Sequence, residues 1–306
     1  MKIGIIGAGG VGGFFGARLA NVGQDVAFIQ RGQHLQAMQD SGLKVESKLG
    51  NIELPEVFVT DDPAEVGVVD MVLVTVKSGH TDEAAELAKP MMGAETGVIT
   101  LQNGVENEER LTKILGNEHV LGGVAYILSL IKSPGFIQQT GPMARLEFGE
   151  LDGTRSKRAV GFLEACKMAS IDATLSTNIE ENLWKKFIFL CPHNGMTSLT
   201  RSNIGSIRED PDCRSLFEEA VREVLLLAKA KGITVGLSGS DEVMKMYDSM
   251  PYEMTSSMHY DVVNGKPLEL DWLNGAVVRL GNEVGLPTPV NNFIYSALKL
   301  LRNGVS

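Results

Sequence analysis

The chain has 306 residues, 43% of them hydrophobic and 22% charged, with a formal net charge of −10. That length suits two compact domains, and the composition excludes wholesale disorder. The acidic balance disfavours nucleic acid as a partner, because binding a phosphate backbone calls for a basic surface.

Along the first half, continuous apolar or β-branched runs predict strands at 2–9, 24–31, 68–77, 96–104 and 118–126. Runs of that kind suit strands buried on both faces of a parallel sheet. Helical patterns at 12–22 and 80–89 complete a βαβ rhythm. The runs at 135–141 and 145–150 predict a hairpin added to one sheet edge, followed by a helix near 155–170 and a short strand at 172–176. Beyond residue 178 the strand signal stops, and stretches such as 215–232 carry apolar residues at i, i+3, i+4 and i+7. The expected fold is a Rossmann-type doubly wound parallel sheet over 1–178, followed by an all-helical domain over 179–306. Cys166, Cys191 and Cys213 are far apart and lack metal-ligand spacing, so no metal is expected. No signal-like start and no run near the ~20 residues that span a bilayer are evident, so a reduced, cytoplasmic protein without a membrane partner is expected.

The stretch "GAGGVG" (Gly7, Ala8, Gly9, Gly10, Val11, Gly12) follows a five-residue strand pattern and opens a helix. In that setting Gly7 permits a tight turn, Gly9 lets backbone approach a pyrophosphate and Gly12 lets helix and strand pack closely. The helix N-terminus offers N–H groups to the phosphates. About twenty residues on, where an NAD enzyme places an acid for the ribose 2′-hydroxyl, the sequence has Gln30 and Arg31. A guanidinium suits a 2′-phosphate, so NADP(H) is expected over NAD(H). Lys77 and Asn103 close the third and fourth strand patterns, at the carboxyl ends where doubly wound folds bind ligands. Each is also accountable as a strand's first wet residue or as a turn asparagine.

Lys185 and Lys186 lie side by side in an otherwise apolar run after Trp184. From position alone, both read as the wet edge of an amphipathic helix.

Taken in order, "GAGGVGGFFG", the arginine after strand two, "VK", "QNG", "WKKF" and "SSM…D…E" resemble the ketopantoate reductase family over nearly the whole chain. The resemblance implies NADPH-dependent reduction of ketopantoate to pantoate, in a cleft between a Rossmann domain and a helical domain. It implies that the lysine two residues after the tryptophan, Lys186, is the proton donor, with Glu269 holding the substrate hydroxyl or orienting that lysine, and also touching the cofactor. It further implies that Ser257, twelve residues earlier, binds the substrate carboxylate, and that Asn103 and Asn194 lie near nicotinamide and substrate. Asp261 is a supporting candidate. Chemistry agrees: hydride arriving at C2 leaves an alkoxide that needs a donor, and desolvation makes an ammonium a better acid.

Two residues depart from the pattern. Leu190 stands where the family usually keeps an asparagine, one turn beyond Lys186, and Pro192 predicts a kink or an end to the helix near 188–191. A reductase of another small 2-keto acid, and a non-catalytic NADP-binding sensor, therefore stand beside ketopantoate reduction. The tail helix "NNFIYSALKLLRN" can pack internally or form a homodimer contact.

Overall fold

The computed structural model describes residues 1–237 and 239–304. The chain divides into two units: Met1–Gln102 with Glu106–Ile179, and Asn103–Val105 with the chain from Glu180 onward.

The first unit runs β1 (Lys2–Ile6), α1 (Gly10–Asn21), β2 (Asp25–Ile29), α2 (Gly32–Ser41), β3 (Leu43–Ser47), β4 (Ile52–Leu54), β5 (Phe58–Thr60), β6 (Met71–Val74), α3 (Thr81–Ala88), β7 (Gly97–Thr100), α4 (Asn107–Leu115), β8 (Val120–Ser133), β9 (Phe136–Glu150), α5 (Lys157–Met168) and β10 (Asp172–Leu175). The strands form one mixed sheet in the order β4-β3-β9-β8-β7-β6-β1-β2-β5, with β10 beside β9. From β5 across to β8 every pairing is parallel. Chain order reverses on either side of β1, the switch point at which such sheets bind ligands.

Alternation along the central strands explains why both faces are covered. Ile3, Ile5 and Leu73 join Phe14, Phe15 and Phe162 in one apolar cluster. Ile6, Val72 and Val74 point the other way, onto Ala84, Ala85 and Leu111 of α3 and α4. Successive strand residues face opposite sides, so a sheet flanked by helices needs an unbroken apolar run.

Three sequence expectations change here. The runs at 135–141 and 145–150 are one strand, β9, not a hairpin, and β9 lies inside the sheet between β8 and β3. Its turn-like letters serve a bulge. Ile127 pairs with Ala144 and Ser129 with Gln139, so residues 140–143 stand opposite Leu128 alone. The actual reversal is at Gly135, whose φ is 74°. Secondly, β3, β4 and β5 carry no strand expectation, being short and partly polar. Thirdly, strand 68–77 shortens to β6, and Lys77 lies three residues beyond it.

The second unit is helical, with α6 (Ile179–Thr200), α7 (Ile204–Glu209), α8 (Pro211–Ala230), α9 (Ser240–Ser249), α10 (Ser257–Val263), α11 (Asn274–Glu283) and α12 (Pro289–Leu298). Its core gathers Trp184, Phe187, Ile188, Phe217, Val224, Tyr247 and Leu273, among others. α6 does not end at Pro192 but continues for eight further residues. An interior proline costs about 3 kcal/mol. Burial of Phe187, Ile188 and Met196 on either side of it contributes roughly 1.5–3 kcal/mol each, which offsets that cost. α12 packs internally through Ile294 and Leu298, while Phe293 is exposed. Among the described residues, no helix is long and apolar enough to cross a membrane.

Candidate active site

The glycine-rich turn between β1 and α1 is held by its backbone. Gly7 has φ of 95°, a conformation open to glycine, and its N–H donates to the Ile29 carbonyl at 3.0 Å. A Cβ on Gly12 would overlap the Gly7 carbonyl and the Thr75 hydroxyl, so residue 12 has room only for hydrogen. Gly9 caps α1, and a Cβ there would meet nothing within 4 Å, which leaves open space beside the helix N-terminus. Gly10 lies against the backbone of Ser129, and Val11 is half-buried. This cradle fits a dinucleotide pyrophosphate: a positive-φ turn, a close helix–strand approach and a helix start without a side chain over it.

Three side chains fix this turn in roles that local sequence pattern does not disclose. Thr75 donates its hydroxyl to the Gly7 carbonyl at 2.6 Å. Gln30 accepts the Ala8 N–H at 3.0 Å, so that N–H is committed within the protein. His34 is buried; its Nδ1 accepts the Gly135 N–H at 3.0 Å, which leaves Nε2 to donate to the Ala8 carbonyl at 2.9 Å. Burial lowers its pKa below the usual 6.5 and favours this neutral ring. Polar residues just past β2 and β6 were the available signal.

Arg31, two residues beyond β2, pairs with Glu83 of α3 at 2.8 Å, the two side chains being 69% and 47% exposed. The second Glu83 oxygen contacts His80 Nδ1 at 3.0 Å. His80, with Arg31, holds the Glu83 carboxyl below its ordinary pKa. Lys77 is exposed and precedes a short 3-10 turn at Ser78–His80.

In the helical unit, α6 turns its two lysines to different partners. Trp184 and Phe187 pack edge to face in the core. Lys185 pairs with Glu181 one turn back at 2.7 Å, an ordinary helix-surface ion pair. Lys186 instead donates to Asn103 Oδ1 at 2.9 Å, and Asn103 Nδ2 donates to Glu269 Oε2 at 3.2 Å. A neutral amide thus bridges ammonium and carboxylate, accepting from one and donating to the other. Desolvation pushes the Lys186 pKa down from 10.5 to about 8, against the opposing pull of Glu269. Such a lysine is still protonated at neutral pH and gives up its proton more readily than an exposed one. Glu269 is buried and precedes a 3-10 turn at Leu270–Trp272.

Ser257 and Asn194 also come together. Asn194 is 1% exposed; its Oδ1 accepts the Met258 N–H at 3.1 Å and the Ser257 hydroxyl at 3.4 Å, and its Nδ2 donates to the Leu190 carbonyl. Asn194 therefore ties α6 to the start of α10 and stands behind Ser257, which is exposed. Ser256 is the N-cap of α10. Asp261 is buried on the same helix, and Leu190 is half-buried one turn beyond Lys186.

Residues 3–153 match the family described as ketopantoate reductase PanE/ApbA, and residues 178–302 match the C-terminal part of that family. The chain belongs to the ketopantoate reductase family. It is 30% identical over 300 residues to the Bacillus subtilis protein named uncharacterized oxidoreductase YkpB, covering 98% of each chain. The crystal structure of 2-dehydropantoate 2-reductase from Geobacter metallireducens superposes with a TM-score of 0.91 at 30% identity, covering 98% of this chain and 99% of that one. D-mandelate dehydrogenase, solved with NADH and anilino(oxo)acetate, shares the fold, with a TM-score of 0.89 at 23% identity and coverage of 99% and 98%. Membership of that family places this chain among the oxidoreductases.

Proposed function

We propose that the protein reduces 2-dehydropantoate (ketopantoate) to pantoate with NADPH, in the synthesis of pantothenate and coenzyme A in the cytoplasm. The observation that carries this reading is the Lys186–Asn103–Glu269 chain of hydrogen bonds, found in a member of this family. The sheet unit (1–178) holds the cofactor and the helical unit (179–306) supplies the catalytic groups. NADPH, held by these residues, would supply the hydride that reaches C2 of the substrate. The carbonyl π electrons then move to oxygen, and Lys186 gives the nascent alkoxide its proton, becoming a neutral amine that solvent recharges. Asn103 holds the Lys186 ammonium in place, and the Glu269 charge keeps it from losing its proton too early. The exposed Ser257 hydroxyl turns its one hydrogen from Asn194 Oδ1 to the substrate carboxylate. Gly7 to Gly12 take the pyrophosphate, Arg31 the 2′-phosphate, and Lys77 lies at the same carboxyl edge of the sheet.

A second reading, reduction of a different small 2-keto acid, is favoured by Leu190, because leucine offers no amide to a polar substrate at the position one turn from Lys186. Following NADPH absorbance with ketopantoate and a panel of other 2-keto acids tests both. Fastest turnover with ketopantoate is expected; faster turnover of a more apolar keto acid would transfer the assignment to the second reading. Cofactor binding with no oxidation on any of them would leave only a dinucleotide-binding sensor.

A further inference from the structure

Arg31 and Glu83 meet at the place where a doubly wound fold chooses between the 2′-hydroxyl and the 2′-phosphate of its cofactor. Arg31 follows β2, and the neighbouring Gln30 is bonded to the glycine turn itself. The Arg31 guanidinium is engaged by a carboxylate at 2.8 Å, and that carboxylate comes from α3 rather than from the end of β2. An acid from this direction has no counterpart in the motif by which dinucleotide sites are read, which looks for it about twenty residues past the glycines.

We propose that Glu83 is a specificity-determining residue that reduces the preference for NADPH over NADH by competing with the 2′-phosphate for Arg31. The inference rests on the reading of Arg31 as the 2′-phosphate ligand. A 2′-phosphate brings up to two negative charges beside Glu83, so binding it means either displacing the carboxylate from Arg31 or tolerating its repulsion. A ribose 2′-hydroxyl asks for neither. It can donate to the Glu83 oxygen that an acid at the end of β2 would otherwise offer, while the ion pair stays intact. NADPH therefore binds against an opposing charge, and NADH binds with an acceptor already provided. Both cofactors are used, with a narrower gap than an unopposed arginine would give.

The test is titration of the protein with NADPH and with NADH, followed by nicotinamide fluorescence, for the unaltered chain, Glu83→Gln and Arg31→Ala. Glu83→Gln keeps the side chain's shape and removes its charge at an exposed site, and thermal melts check that it folds. It should tighten NADPH by about fivefold, the scale of one exposed ion pair, and leave NADH unchanged or weaker. That gain should shrink in 1 M salt, where the screening length falls to about 3 Å. An unchanged ratio of the two affinities, or weaker NADPH binding, overturns the role of Glu83. Arg31→Ala separates the two layers. A selective loss of NADPH alongside an inert Glu83→Gln removes Glu83 only, whereas equal losses of both cofactors reject the 2′-phosphate role of Arg31 and this inference with it.

Discussion

At the glycine-rich turn the working parts are backbone: a positive φ at Gly7, the missing Cβ of Gly12 and the open helix start at Gly9. Around Lys186 they are side-chain atoms converging from residues 103, 186 and 269, each bonded to the next. The first site is specified by what is absent from a short stretch, the second by what distant stretches bring together. A backbone site should fail by steric intrusion and lose structure along with binding. A side-chain site should fail by loss of one functional group while the fold remains.

The largest effect tests that contrast directly. Lys186→Ala should reduce kcat by about 10²–10⁴-fold, the usual worth of a positioned general acid, with an unchanged thermal melt. Lys185→Ala should leave turnover nearly intact, since its partner is Glu181, one turn back on the same helix. Equal losses from the two would erase the distinction between them. Next in size, Gly12→Val should abolish dinucleotide binding and lower stability by about 1–3 kcal/mol through overpacking against Gly7 and Thr75. A variant that kept its melting temperature but lost binding would mean the turn is less dependent on close packing than its geometry implies.

The smallest expected effect is a shift in a pH profile. As the proposed proton donor Lys186 must be protonated, and burial brings its pKa down to about 8, so kcat for keto-acid reduction should fall as pH rises through about 8. The Glu269 charge holds that pKa up against desolvation. Glu269→Gln should therefore move the alkaline limb to lower pH, whereas a shift to higher pH would show that Glu269 does not act on Lys186 through its charge.

The two sites also differ in how far the sequence discloses them. The glycine letters sit within six residues of each other, between a strand pattern and a helix pattern, and need no distant information. Trp184 and its spacing to Lys186 single out one lysine only through resemblance, because periodicity alone leaves Lys185 and Lys186 equivalent. The roles of Thr75, Gln30, His34 and Glu83 are not legible locally, because each acts on a residue at least 22 positions away or across an ion pair between separate elements. Local pattern carries no record of such pairings. The same limit explains β9: Thr140 and Gly141 read locally as a turn, but pairing with β8 turns them into a bulge. Pro192 is the converse case, a local signal for a helix end that surrounding core burial outweighs.

Asn103 belongs by sequence to the sheet half, just past β7, yet Asn103–Val105 clusters with the helical unit. A cut near residue 178 that looks clean on paper would therefore divide Lys186 from the amide that accepts its hydrogen bond. A fragment starting at Glu180 would carry Lys186 and Glu269 without the amide that joins them, so swapping this helical unit onto another sheet means transplanting a three-residue graft as well.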